Sequence, residues 1–300
     1  MPTAPCEPWF TERVRPDAYV APTSLPFGEG TVTRRVNLEP VIFLGGGRAL
    51  LLQVAHPLVA AGVAEHSDYD RDPWRRLART LDVMMKMAFG EPGESARQAR
   101  ALEARHRRVR GTSPDGVPYR ASDPPLLLWV WATLVDTALT VYERCFGHLP
   151  ATDRERFYQE QKLLAQACGV PLDACPATFP AFTDYVADTV AGGLRVTDAA
   201  RAVASAVTGP VLRWPLGPVA AAPLRWVTSG LLPPAVREAY GMSWSRSDEQ
   251  RLGWLLAMAG ASAILPRPVR TLPSLALLRS RRPLTPPQFL QARPADRVRG

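Results

Sequence analysis

Apolar residues along this chain recur at intervals of three and four, and runs that alternate apolar with polar are hard to find. That spacing stacks side chains on one face of a helix, so the chain reads as mostly helical. Residues 48–65, after Gly45-Gly46-Gly47, are expected to form one helix with Leu51, Leu52, Ala55, Val59 and Val63 along a face. Asp72-Pro73 is a start signal, because an Asp side chain accepts an orphan N–H and proline tolerates the first turn. The helix it opens is expected to run to Phe89 and stop at Gly90. Residues 94–110 form the next helix, ended by Gly111, and a turn-rich loop follows. Asp123-Pro124 repeats the start signal for a long apolar helix that ends at Gly147. Thr152-Asp153-Arg154-Glu155 fits a capping box for a helix reaching Cys168. Residues 179–207 hold one or two helices, 209–226 are broken by prolines, and 235–240 and 247–265 are the last helical stretches. With no internal repeat and no linker before residue 266, the expected fold is a single all-α domain over 31–266. It would carry an irregular N-terminal arm at 1–30 and a basic Pro/Arg-rich tail at 267–300.

Composition changes this picture in three places. At 300 residues and 46% apolar content the chain can bury a sizeable core. Only Lys86 and Lys162 are lysines, so 34 of the 36 basic residues are arginine. Most of the net charge of +8 sits at one end: residues 267–300 hold eight arginines against Asp296, a local +7. Such a tail suits nucleic acid or anionic lipid, or simply solvent; no specific nucleic-acid partner is expected. Cys6, Cys145, Cys168 and Cys175 lack C-x-x-C spacing, which argues against structural zinc. The first residues lack the apolar core of a cleaved signal, so the expected location is the reducing cytoplasm. Residues 41–64, 126–142 and 252–265 are apolar but interrupted or short of a span of roughly 20 residues, and no transmembrane segment is expected.

No G-x-S-x-G, H-E-x-x-H or P-loop is present, and G-G-G-R-A is at most a faint phosphate cradle. Asp136 interrupts an apolar helix and is expected to have an arginine or hydroxyl partner. His56 reads as a satisfied core histidine, His66 as a helix C-terminal residue and His148 as a loop residue. His106 stands in the arginine-rich A-L-E-A-R-H-R-R-V-R-G, while Arg76, Arg79 and Thr80 form R-x-x-R-T on the preceding helix. Arg76, Arg79, Thr80, Val83 and Met87 share a face that is polar at its start and apolar at its end. An imidazole on one helix facing guanidinium groups and a hydroxyl on another can make two sides of an iron or haem pocket. An ordinary boundary histidine beside a surface salt-bridged turn would look the same.

Several blocks in order then carry a likeness. GGGRALLLQVAHPLVAAGVAEHSDYDRDPWRRLARTLDVMMKMAFG, HRRVRG, YRASDPPLLLWVWATLVDTALTVYERCFG and FYQEQKLLAQACGVP together resemble the oxygenase family of MpaB and latex-clearing protein. The resemblance implies an all-α, globin-related core binding haem b. Its implied activity uses dioxygen on an apolar small molecule, with oxidative cleavage of a C=C bond as the relatives' reaction. It implies His106 as iron ligand, Arg110 on a haem propionate, and Arg76, Arg79 and Thr80 shaping the oxygen and substrate pocket. The chain departs from the family where many members read W-V-H-A-T-L, carrying Trp131 in place of the histidine. Other readings stay open: different haem chemistry such as dehydration or rearrangement, a non-haem site built on His56 and His66, or a non-enzymatic helical protein whose basic tail binds nucleic acid or lipid.

Overall fold

A computed structural model describes residues 25, 27–67, 73–208 and 217–279. Most of the expected N-terminal arm, Asp72, the proline-broken stretch 209–216 and the tail from 280 onward lie outside the described residues. What is described is an all-α domain with one minor two-stranded sheet.

The chain enters through α1 (Val32–Asn37), whose first turn is capped twice. The Thr31 side chain accepts the Arg34 N–H, and the Glu160 carboxylate accepts those of Val32 and Thr33 at 3.2 and 2.6 Å. A 3₁₀ segment, Pro40–Gly45, leads into α2 (Gly46–Ala55) and then α3 (Pro57–His66). The single helix expected over 48–65 is therefore two, bent by 106° at His56-Pro57. Proline has no N–H to give and its ring clashes with the preceding turn, so α2 stops at Ala55 and Pro57 starts a new helix. The triple glycine has a packing role. A Cβ at Gly45 would run into Thr137 Cγ2, and one at Gly47 into the Thr228 side chain, so only glycine admits this approach.

Next come α4 (Pro73–Phe89) and α5 (Pro92–His106), joined through Gly90 and Glu91 into an antiparallel hairpin. The helix α5 stops four residues short of the expected Arg110. Its final N–H groups fold into a tightened turn, Val109 donating to His106 O, and strand pairing then takes over. Arg110–Thr112 (β1) and Pro118–Arg120 (β2) pair antiparallel where a loop is expected from sequence, with Gly116 in the left-handed region at the turn. Three-residue strands are too short to leave an alternation in the sequence.

The centre of the domain is α6 (Pro124–Phe146). It is long and apolar enough to cross a bilayer, but 72% of its apolar window is buried inside the protein, the state of a core helix. Residues on several sides of it feed separate clusters. Trp131, Val135 and Leu139 pack with α1, α7 (Ala151–Ala167) and α8 (Phe179–Asp188). Trp129 joins α2, α3 and α9 (Asp198–Thr208), its Nε1 donating to Leu52 O at 3.1 Å. Val141 meets α10 (Gly217–Leu231) and α12 (Arg246–Gly260), with α11 (Pro234–Ala239) between them in sequence. The helices α6 and α12 touch so closely that a Cβ on Gly260 would overlap the Cys145 carbonyl.

Polar ties cross the same core. Arg48, buried on α2, donates to Asp136 Oδ2 at 2.7 Å, Thr137 Oγ1 at 2.6 Å and Leu231 O at 2.8 Å. This is the arginine and hydroxyl partnership expected for Asp136. The capping box expected at Thr152 does not form: α7 starts at Ala151, and Glu155 accepts the Phe179 N–H instead. A capping box does form at Ser245 and Asp248, at the head of α12.

The described part of the basic tail is helical and attached, as α13 (Arg267–Arg270) and α14 (Leu272–Arg279). Arg270 makes a two-pronged ion pair with Glu39, both contacts 2.7 Å, and its guanidinium lies 5.2 Å from the Phe146 ring. Glu39 is fully buried, and a buried carboxylate demands such a partner.

Candidate functional site

Arg76 and His106 lie equally far from the α4–α5 link along their helices, so the hairpin brings them to the same end. Arg79 and Thr80, one turn further along α4, are exposed there. Val83 and Met87 continue the stripe into a buried cluster with Phe27, Ala99 and Leu164. The expected change of face from polar to apolar along α4 is thus present. The Arg76 side chain lies outside the described residues.

His106 is the last residue of α5 and half-buried. Burial, aided by the adjacent charge of Arg105, pushes its pKa down to about 4. The ring is neutral at physiological pH and keeps a lone pair available for a metal. Among the described residues its ring makes no hydrogen bond. A neutral imidazole with no other metal ligand near it suits a cofactor that brings its own metal ligands, so among the described residues His106 fits the haem the sequence resemblance implies. The hydrogen bond that usually orients a ligating ring is absent among the described residues.

Arg110 is not on the helix of His106. It opens β1 opposite Arg120, exposed, and its carbonyl sits 3.1 Å from His66 Nε2. Around it lies a cluster that sequence reasoning missed. Tyr119 donates its hydroxyl to Glu65 Oε2 at 2.6 Å, and burial with that contact raises the phenol to about 12. The hairpin is seated on α3 through Tyr119 and Val109 against Ala61 and Leu58. The only sequence sign of it is Tyr119 itself, a large aromatic in an otherwise polar loop.

The histidines proposed for a non-haem site do not converge. His56 and His66 bound opposite ends of α3, about 15 Å apart for ten residues of helix, too far to share one ion. The expectation of a satisfied His56 also fails: its buried Nδ1 has no hydrogen-bond partner among the described residues, and burial lowers its pKa to about 4. Among the described residues no three His, Cys, Asp or Glu side chains gather as a chelate. Burial raises the thiols of Cys145 and Cys175 to about 11 and that of Cys168 to about 12, so none offers a thiolate at neutral pH. Trp131 is a core residue, ringed by Tyr158 at 6.0 Å and Phe182 at 5.8 Å, with its buried Nε1 lacking a partner among the described residues.

Comparison with known proteins adds to this geometry. The family described as ER-bound oxygenase mpaB/B'/Rubber oxygenase, catalytic domain, matches residues 33–263, further than the blocks legible by eye. Two uncharacterized proteins, one of Mycobacterium tuberculosis and one of Mycobacterium bovis, are each 30% identical over 216 residues, covering 70% of this chain and 84% of their own length. No solved structure matches the chain. The hairpin of α4 and α5, the core helix α6 and the glycine-packed α2 all fall inside the matched span, and the chain belongs to the mpaB/rubber-oxygenase catalytic-domain family.

Proposed function

We propose that this chain is a b-type haem-dependent oxygenase that uses dioxygen on an apolar small molecule in the cytoplasm. The favoured reaction is oxidative cleavage of a C=C bond, in which both oxygen atoms of dioxygen end in the two carbonyl groups formed. The observation that carries the reading is His106, a neutral imidazole whose ring has no hydrogen-bond partner among the described residues, at the end of the hairpin where Arg79 and Thr80 stand. Haem, when bound, supplies the dioxygen chemistry that side chains lack.

The chain's own residues would do the rest. His106 holds the iron through a ring that burial keeps deprotonated. Arg110, anchored by strand pairing beside the end of α5, offers a guanidinium to a propionate carboxylate. Arg76, Arg79 and Thr80 lie on the facing helix, where donors orient an oxygen-bearing reactant. Val83 and Met87 supply the apolar continuation of that face.

An absorption spectrum of protein from haem-supplemented cells, with a pyridine haemochrome assay, tests this. One haem per chain with a Soret band lost in His106→Ala is the expected result, followed by oxygen uptake with an alkene substrate. Failure to take up added hemin would sink the haem reading, and haem binding without oxygen uptake on any alkene would sink the oxygenase reading.

A further inference from the structure

Of the nine large apolar side chains that stand exposed among the described residues, seven lie between Trp254 and Leu272. Ile264 is 89% exposed, Trp254 68%, and Met258 and Leu272 55% each. A surface that scatters its apolar residues singly needs no explanation, but one that concentrates them marks a contact. The helix α12 shows the pattern in detail. Leu252, Leu256 and Gly260 form its buried row against α6 and α10. Trp254 and Met258 lie roughly 200° around from that row and form an apolar row in solvent. Ile264, Leu265, Val269 and Leu272, which follow in the next turns of the chain, are exposed as well.

Among the described residues from 250 to 279 every charged side chain is an arginine. Arg251, Arg267 and Arg279 are exposed. From Arg251 to the C-terminus the sequence holds nine arginines and a single acid, Asp296, a net +8. An open groove of about 600 Å³, lined by Tyr142, Phe146, Leu265 and Arg267 among others, adjoins Ile264. Arg270 in that groove is committed to Glu39, whereas Arg267 is half-exposed and stands 4.0 Å from the same carboxylate.

We propose that the face made by the outer side of α12, the turn Ala261–Ile264, α13 and the start of α14 docks on an anionic lipid bilayer. Exposed tryptophan and aliphatic side chains next to arginines are the chemistry of an interfacial membrane contact: the apolar groups enter the headgroup boundary and the guanidinium groups meet lipid phosphates. A second copy fits worse, because a two-fold contact would set the exposed Arg251, Arg267 and Arg279 of one copy against those of the other. Nucleic acid would satisfy the arginines and leave Trp254 and Ile264 in water. The proposal does not rest on the oxygenase reading, and Ile264 to Leu272 lie beyond the family-matched span.

Co-sedimentation of the full chain with vesicles tests it, comparing phosphatidylcholine alone with phosphatidylcholine plus phosphatidylglycerol. Binding is expected only to the anionic vesicles and weakens with salt. The exposed-site variants Trp254→Ser with Met258→Ser, and Arg251→Gln with Arg267→Gln and Arg279→Gln, should each lower binding by roughly tenfold with unchanged circular dichroism. Tryptophan emission should shift to the blue on binding, and Trp254→Phe should abolish the shift while keeping sedimentation. The proposal is overturned if anionic vesicles leave the protein in the supernatant, or if the apolar double variant binds like wild type. It is also overturned if Trp254→Ser abolishes a lipid-free self-association, which assigns the face to a second copy.

Discussion

His56 and His106 carry the same side chain in different elements, and burial treats them alike: each is pushed down to about 4. In the unfolded chain both would titrate near 6.5, so between those values the unfolded state binds more protons than the folded one. Their contribution to stability is therefore complete above pH 6.5 and is lost as pH falls toward 4. Thermal melting from pH 7 to pH 4 should show a decline that is shallower in His56→Gln; an identical pH slope in that variant would contradict burial of a neutral His56. The position of His106 at a helix was legible in its arginine-rich sequence, and so was the polar-to-apolar face running from Arg76 to Met87. The neutrality of His106 was not, because desolvation depends on the packing around the ring. The orphaned Nδ1 of His56 was illegible for the same reason: the sequence shows a polar group in an apolar run, and only packing decides whether it meets a partner.

Among the elements, those with strong local signals form where the sequence places them. Asp123-Pro124 and Gly147 bound α6, and Gly90 ends α4. Where a local rule met a stronger one, the expectation failed. The backbone clash at Pro57 outweighed the apolar stripe across residues 48–65, and pairing with Pro118–Arg120 claimed Arg110 from α5. The pairing of α2 with α6 rests on Arg48. Arg48→Ala leaves Asp136 and Thr137 facing a void, and loss of one partner of a buried pair costs about 3 to 5 kcal/mol. Asp136 is partly exposed, so the lower end is expected, roughly 3 kcal/mol in urea unfolding. Arg48→Met combined with Asp136→Leu should recover part of that loss, since it removes both charges together. A single Arg48→Ala variant as stable as wild type would show that the tie carries no energy.

At the scale of the whole molecule, the beginning of the basic tail is part of the body because Glu39, buried next to the first 3₁₀ segment, takes Arg270 from the far end of the sequence. Glu39→Gln removes the carboxylate, and hydrogen–deuterium exchange over residues 264–279 should rise while α6 stays protected. Unchanged exchange there would mean that α13 and α14 are held by apolar contacts alone. The all-α class, the apolar core helix, the need of Asp136 for a cation and the family likeness are local or compositional properties, and they are written in residue periodicity, capping and short blocks. The β-hairpin over α3, the Tyr119–Glu65 contact and the Glu39–Arg270 pair join residues far apart in the chain. Their free energies depend on close approach and desolvation, which no run of neighbouring residues encodes. The same division separates the tail's charge, countable in the sequence, from the exposed apolar face beside it, which exists only because α12 turns Leu252 and Leu256 inward and leaves Trp254 and Met258 outside.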